Sequence, residues 1–151
     1  MAERSNEETV RAYVRAMEES DSASHATLRH PDWHADWPQS GERVHGHANM
    51  NAIIENFPGG LPEVHAGSVV GSEDRWVVTP MYSIQRIVGS GDSWWADGTI
   101  TYPDGSRWFY VVFLEIRDRK VYRETAYFAA PFEAPAWRQP YVERIEQEPP
   151  Q

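Results

Sequence analysis

Two neighbouring stretches decide how this chain is read: Trp108-Phe109-Tyr110-Val111-Val112-Phe113-Leu114 and Val121-Tyr122-Arg123-Glu124-Thr125-Ala126-Tyr127-Phe128. The first is apolar on both faces, which predicts a central strand covered on two sides. In the second, strict alternation puts Glu124 on the same face as Tyr122, Ala126 and Phe128. A carboxylate turned into an apolar face is a candidate for chemistry, because burial disfavours its charge.

Outward from that pair, the second half of the chain reads as strands. They are expected at about 63–70, 75–88, 93–102, 106–117 and 120–129. The separators Gly71-Ser72-Glu73-Asp74, Gly89-Ser90-Gly91-Asp92, Pro103-Asp104-Gly105 and Asp118-Arg119 are short and rich in turn formers. Neighbouring strands therefore pair as antiparallel hairpins. The first half is helical. Ser5 and Glu8 form a capping pattern, and Val10, Tyr13, Val14 and Met17 repeat at helical spacing, so a helix spans about 5–20. Asp21-Ser22 caps a shorter helix to about Leu28. Over 30–37 the pattern alternates, with Trp33, Ala35 and Trp37 inward and Asp32, His34 and Asp36 outward, a half-buried strand. A third helix starts near Gly46 or His47, carries Met50, Ile53, Ile54 and Phe57 on one stripe, and ends at Pro58-Gly59-Gly60. The proline-rich tail from Pro131 offers a short helical stretch around 141–145 and a frayed end at 146–151.

Helices followed by a long antiparallel meander define an α+β plan. A twisted sheet of long strands curls around the helices and encloses a pocket, a conical α+β barrel. At 151 residues the chain is read as one domain, with a core over about 5–130 and a C-terminal tail. There is no cysteine, and the first residues are polar and mixed in charge, which fits a cytoplasmic protein without a signal peptide. The net charge of −9 argues against nucleic acid or an anionic membrane as partner. Seven tryptophans and seven tyrosines build either an aromatic core or the wall of a pocket for a flat, apolar ligand.

The order of helix, helix, strand, helix and strand meander resembles the nuclear transport factor 2-like superfamily. Its SnoaL-like polyketide cyclases, ketosteroid isomerases, limonene-epoxide hydrolase and scytalone dehydratase share this plan. The landmarks are Tyr13-Val14-Arg15-Ala16-Met17, Asp36-Trp37-Pro38, Gly46 with its helix, and Arg119-Lys120-Val121. The segment from Tyr127 to Trp137 also resembles bacterial SnoaL-like members. The resemblance implies that Tyr13 occupies the place of the isomerase tyrosine that donates to a developing oxyanion. The place of the isomerase general base holds Trp37, and that of its protonated aspartate falls near Val112. Where SnoaL-like cyclases carry His-Trp-Asp on the last strand, this chain has Glu124-Thr125-Ala126. Steroid isomerisation by the family's usual groups and the usual cyclase acid–base pair are therefore both incomplete.

What remains is Glu124, with Tyr13, as the candidate catalytic pair. Trp33, Trp37, Phe57, Tyr110, Val112, Leu114, Tyr122, Ala126 and Phe128 are the candidate substrate-binding wall. Desolvation raises a glutamate toward neutrality, the tuning a general acid or base needs. The competing reading pairs Glu124 with an arginine such as Arg86 or Arg107, and makes Tyr13 a core tyrosine. His45-Gly46-His47 has a ligand-pair spacing, but its helical continuation gives no third ligand, so no metal is expected. No cofactor motif is present: there is no G-x-G-x-x-G, Walker loop or G-x-S-x-G. Three functions follow: a cofactor-free acid–base enzyme on a small apolar polyketide-, terpenoid- or steroid-like molecule, a non-catalytic binder of such a molecule, or a dimerisation module. Outward Phe109, Val111 and Phe113 are expected to support a homodimer in each case.

Overall fold

The computed structural model describes residues 3–78 and 84–145. The chain runs α1 (Asn6–Glu19), α2 (Ser22–Leu28), β1 (Arg29–Trp37), β2 (Glu42–His45), α3 (Gly46–Glu55), β3 (Glu63–Val78), β4 (Ile84–Thr101), β5 (Arg107–Arg117) and β6 (Lys120–Ala129). A short 3-10 turn, Ala136–Tyr141, follows. The strands form one sheet in the order β2-β1-β6-β5-β4-β3. It is an open curled sheet with the helices against one face, the expected α+β cone. One correction concerns its polarity. β1 and β6 pair in parallel, so the sheet is mixed and not antiparallel throughout. The long excursion through α3 and the meander supplies the crossover that parallel neighbours need.

The helices form where the sequence predicts them. Ser5 caps α1: its side chain accepts from the Glu8 amide while the Glu8 carboxylate accepts from the Ser5 amide. Val10, Tyr13 and Val14 then turn inward together. Asp21 caps α2 by accepting from the Ser24 amide at 3.0 Å. The buried stripe of α1 meets Trp33 and Ala35 of β1, Val112 and Leu114 of β5, and Val121 of β6 in one continuous core.

The long hairpin β3–β4 departs from the expected segmentation. Both predicted turns, Gly71–Asp74 and Gly89–Asp92 in the sequence, lie within strands: Gly71 pairs with Trp94, Ser72 with Ser93 and Asp74 with Val88. The residues between Val88 and Ser93 face Glu73 alone, as a bulge. Glycine and serine suit bulges as well as turns, so their composition misplaced the break. The strand expected at 75–88 is divided between β3 and β4, and residues 79–83 lie outside the described residues.

A second bulge matters more for the site. β5 and β6 pair in step from Phe109↔Ala129 to Glu115↔Arg123, and the next pair is Ile116↔Val121. Tyr122 is the extra residue. Val121 therefore turns into the core, fully buried, while Tyr122 turns outward between His30, His34 and Arg117.

On the outer face of the sheet Phe109, Phe113 and Tyr127 are exposed, with Val111 half-buried among them. The tail carries exposed Phe132, Trp137, Tyr141 and Ile145. The helical stretch expected at 141–145 is displaced: the 3-10 turn ends at Tyr141, and Val142 is extended. Residues 146–151, expected to fray, lie outside the described residues.

Candidate functional site

Between the helices and the concave face of the sheet lies a cavity of about 350 Å³. One end is apolar, walled by Ile54, Phe57, Leu61, Ile100, Val112 and Phe128. The other end is polar, with Ser22, His25, Arg29, His47, Asn51 and Glu124 in its wall. A greasy body with a few converging polar groups is the usual make-up of a small-molecule site.

Glu124 enters this end from β6, where it pairs with Leu114 on one side and Ala35 on the other. It is 6% exposed. Its Oε1 accepts a hydrogen bond from the hydroxyl of Tyr13, a fully buried residue of α1. The same hydroxyl oxygen accepts from Nε of Arg29 at 2.8 Å. Arg29 opens β1, and its guanidinium lies 3.8 Å over the Trp33 ring, a cation–π contact in a desolvated place. Its Nη1 donates to Nδ1 of His47 at 2.7 Å, and its Nη2 stands 3.9 Å from Glu124 Oε1, beyond hydrogen-bond reach.

The donors assign the rest of the chain of contacts. Arginine only donates, so His47 Nδ1 is the acceptor and Nε2 carries the proton. That Nε2 donates to Ser22 Oγ at 3.3 Å, and Ser22 donates to Asn51 Oδ1 at 2.7 Å. His25 stacks at a tilt on Tyr13, with centroids 4.5 Å apart, and donates Nε2–H to the Tyr13 carbonyl at 3.2 Å.

Burial sets the charges. It pushes Glu124 up to about 8. The Arg29 guanidinium and the Tyr13 hydroxyl oppose that rise, since both favour the carboxylate. Burial also lowers Arg29 to about 10, which leaves it protonated at neutral pH. His25 falls to about 4 through burial and then the nearby Arg29 charge. His47 is lowered by burial and then by Arg29. Both histidines are thus neutral near pH 7, and the polar end holds one fixed cation and one carboxyl that can change charge.

Of the sequence-predicted wall, Trp37, Phe57, Tyr110, Val112, Ala126 and Phe128 line the cavity together with Glu124. Trp33, Leu114 and Tyr122 do not. Trp33 lies behind Arg29, Leu114 is fully buried in the core, and the bulge carries Tyr122 to the outer face. Tyr13 also stands outside the wall: its hydroxyl is committed to Glu124 and Arg29, so the place aimed at an oxyanion is taken. Glu124 faces an arginine that the sequence reading did not name, Arg29, and the Arg86 side chain lies outside the described residues. Tyr110 reaches across β4, where a Cβ on Gly98 would stand 2.9 Å from the phenol oxygen and 2.0 Å from the His65 carbonyl. Only glycine fits there. The Tyr110 hydroxyl is buried without a hydrogen-bond partner among the described residues, and burial, then Glu18 and Asp97, raise it to about 12.

Arg29, His25, Ser22 and Asn51 escape a reading of periodicity, as they sit at element ends or on the polar side of helices. In the sequence His47 stands out only as half of the His45-Gly46-His47 ligand-pair spacing. The two rings diverge: His47 joins Arg29 inside, while His45 lies on the surface near His34. Among the described residues no group of three metal-ligating side chains converges.

No family model matches the chain, and no curated protein does. Solved structures do. A nuclear transport factor 2-like protein of unknown function from Burkholderia xenovorans is 30% identical, covering 93% of this chain and 95% of that one, with a TM-score of 0.66. A provisionally assigned ketosteroid isomerase from Kribbella flavida is 24% identical over 95% of this chain and 91% of its own, with a TM-score of 0.71. A provisionally assigned polyketide cyclase from Pseudomonas putida is 20% identical over 83% and 92%, with a TM-score of 0.58. Below a quarter identity such a likeness speaks to fold alone.

Proposed function

The chain belongs to the nuclear transport factor 2-like superfamily, and from that premise we propose that it is an acid–base enzyme acting on a small, largely apolar molecule without a cofactor. One observation carries the reading. Among the described residues, Glu124 is the one carboxylate in the cavity wall, and it lies at the polar end beside Arg29. A carboxyl that titrates near neutrality can take a proton from one position of a substrate and return it to another. Tyr13 is a positioning residue here: it locks the Glu124 rotamer and favours its charged form. Arg29 supplies positive charge where negative charge develops on a substrate oxygen. Isomerisation, cyclisation and dehydration can each use such a set. The fold's enzymatic neighbours are consistent with such chemistry, and the substrate is left to experiment.

The test is turnover on polyketide, terpenoid and steroid panels, after hits are found by thermal stabilisation that grows with ligand concentration. Glu124→Gln keeps the shape of the wall. It is expected to keep ligand binding and lower kcat by roughly 10²–10⁴-fold. Unchanged turnover removes Glu124 from the mechanism. Binding without any turnover in the parent protein selects the alternative, a non-catalytic carrier, for which the replacement of the family's acidic groups by Trp37 and Ala126 speaks. The exposed Phe109, Phe113 and Tyr127 support self-association through the outer face, and sedimentation at rising concentration reads it.

A further inference from the structure

We infer that the polar end of the cavity is a subsite for an acidic oxygen: the ligand is an apolar molecule carrying one carboxylic or enolic group, held as its anion by Arg29. This deepens the function proposed above and rests on the same cavity. Three observations carry it. Arg29 is 7% exposed, lines the cavity, and uses Nε and Nη1 on neutral acceptors, the Tyr13 phenol and the His47 ring. Its Nη2 makes no hydrogen bond among the described residues, and the one carboxylate near it is 3.9 Å away. The rest of the wall holds no cation among the described residues: Phe57, Ile100 and Phe128 are apolar and Tyr102 and Tyr110 offer only neutral phenols, so an anion is drawn to the Arg29 end.

Charge balance explains why an acid suits the site. Among the described residues Glu124 is the one acid near the buried guanidinium; it is held too far for a direct bond and keeps its proton below about pH 8. Facing these two groups are Tyr13 from α1, His25 from α2 and His47 from α3, all neutral near pH 7. Below about pH 8 the protonated Glu124 leaves the Arg29 charge unbalanced. A ligand arriving as its anion takes the hydrogen bond from Nη2 and balances that charge, and no proton needs to move. A neutral ester of the same shape offers Nη2 only an uncharged carbonyl acceptor and leaves the Arg29 charge unbalanced.

The experiment compares 2-naphthoate with methyl 2-naphthoate by calorimetry at pH 6 and 7.5, on the wild-type protein and on Glu124→Gln. The acid is expected to bind about 10- to 100-fold more tightly than the ester, the range of one charge-assisted hydrogen bond. In Glu124→Gln the preference for the acid is expected to persist: equal to the wild-type preference at pH 6, where Glu124 holds its proton, and larger than it at pH 7.5, where part of the wild-type carboxyl has ionised. Arg29→Gln, if folded by its melting transition, equalises the two probes. An ester that binds as well as the acid overturns the subsite while leaving the apolar cavity and its acid–base reading in place. An acid weakened in Glu124→Gln also overturns it, since Glu124 would then be the anchor. If neither probe binds to protein with an intact melting transition, the subsite is overturned together with the ligand cavity itself.

Discussion

Asp36 and Glu124 are near neighbours across the β1–β6 pair, where Ala35 aligns with Glu124 and Asp36 with Thr125. One residue along a strand reverses the face, and the two carboxylates meet opposite conditions. Asp36 points out and accepts from Arg43 Nε at 2.5 Å, Arg43 Nη2 at 2.9 Å and Arg123 Nη2 at 2.9 Å. Those bonds, led by Arg43, hold it down at about 2. Glu124 points in, to one phenol and a guanidinium held off at 3.9 Å, and burial lifts it to about 8. An arginine beside a carboxylate is thus no guide to function by itself. What distinguishes the two is whether the guanidinium is forked onto the acid or committed elsewhere, and whether water reaches it. The first locks a charge; the second leaves a proton available near neutral pH.

The largest effect that separates them is the turnover loss in Glu124→Gln set against no loss in Asp36→Asn. Next comes the pH dependence of stability. The Glu124 carboxyl ionises near 4.5 when unfolded and near 8 when folded, so over that window the folded state holds the extra proton. Its stabilisation is full below 4.5 and is lost as pH rises through 8. His25 acts in reverse. Lowered from 6.5 to about 4, it stabilises above 6.5 and loses that contribution as pH falls through 4. Between 4.5 and 6.5 the two slopes oppose each other. Between 6.5 and 8 Glu124 acts without that opposition. Stability there is expected to fall by at most about 2 kcal/mol, the product of 1.36 kcal/mol per unit and the width of the window. Chemical denaturation at pH 6.5 and 8 measures it, and Glu124→Gln should flatten the limb. A wild-type protein equally stable at both pH values would put Glu124 with Asp36, as an acid already ionised.

Tyr13→Phe sharpens the same contrast more gently. It removes the donor to Glu124 and the acceptor of Arg29 Nε, and is expected to cost about 1–2 kcal/mol. It should also move the Glu124 midpoint upward, because the lost bond favoured the carboxylate. An NMR titration of the Glu124 side chain reads this. A midpoint that falls would mean that the phenol does not hold the charged form.

The inner carboxylate was legible because one charged residue interrupts an alternating apolar run, and burial follows from the alternation. Its partner was not. Arg29 stands at the junction of α2 and β1, where no periodicity fixes the face, and arginine is ordinarily a surface residue. His47 was hidden the same way, at the start of α3, where its neighbour His45 does face solvent. Tyr122 failed for a different reason. Period-2 reasoning holds only until a bulge, and the bulge beside the Arg117–Lys120 turn shifts every residue before Arg123 by one. The helices and the cone were readable because their stripes are long. The break between β3 and β4 was not, since glycine and serine mark a bulge and a turn alike. Chemistry in this chain collects where the regular pattern ends, and that is where pattern reading is weakest.

The outer carboxylate provides the smallest and most specific check. Asp36 joins Arg43 of β2 to Arg123 of β6 across β1, fastening the edge of the sheet. Its partners are 50% and 40% exposed, so solvent screens the pair and the net contribution is small despite the large pKa displacement. Asp36→Asn is expected to lower stability at pH 7 by less than about 1 kcal/mol. It should leave turnover and the limb between pH 6.5 and 8 untouched. Its signature lies at the acid end. A depressed carboxyl stabilises above its unfolded value of 3.8 and loses that contribution as pH falls through about 2, so the wild-type protein should lose stability below pH 4 more steeply than the variant. If the variant instead altered the limb between 6.5 and 8, the two faces of the sheet would be electrostatically coupled through β1, and the separation between a locking acid and a working one would fail.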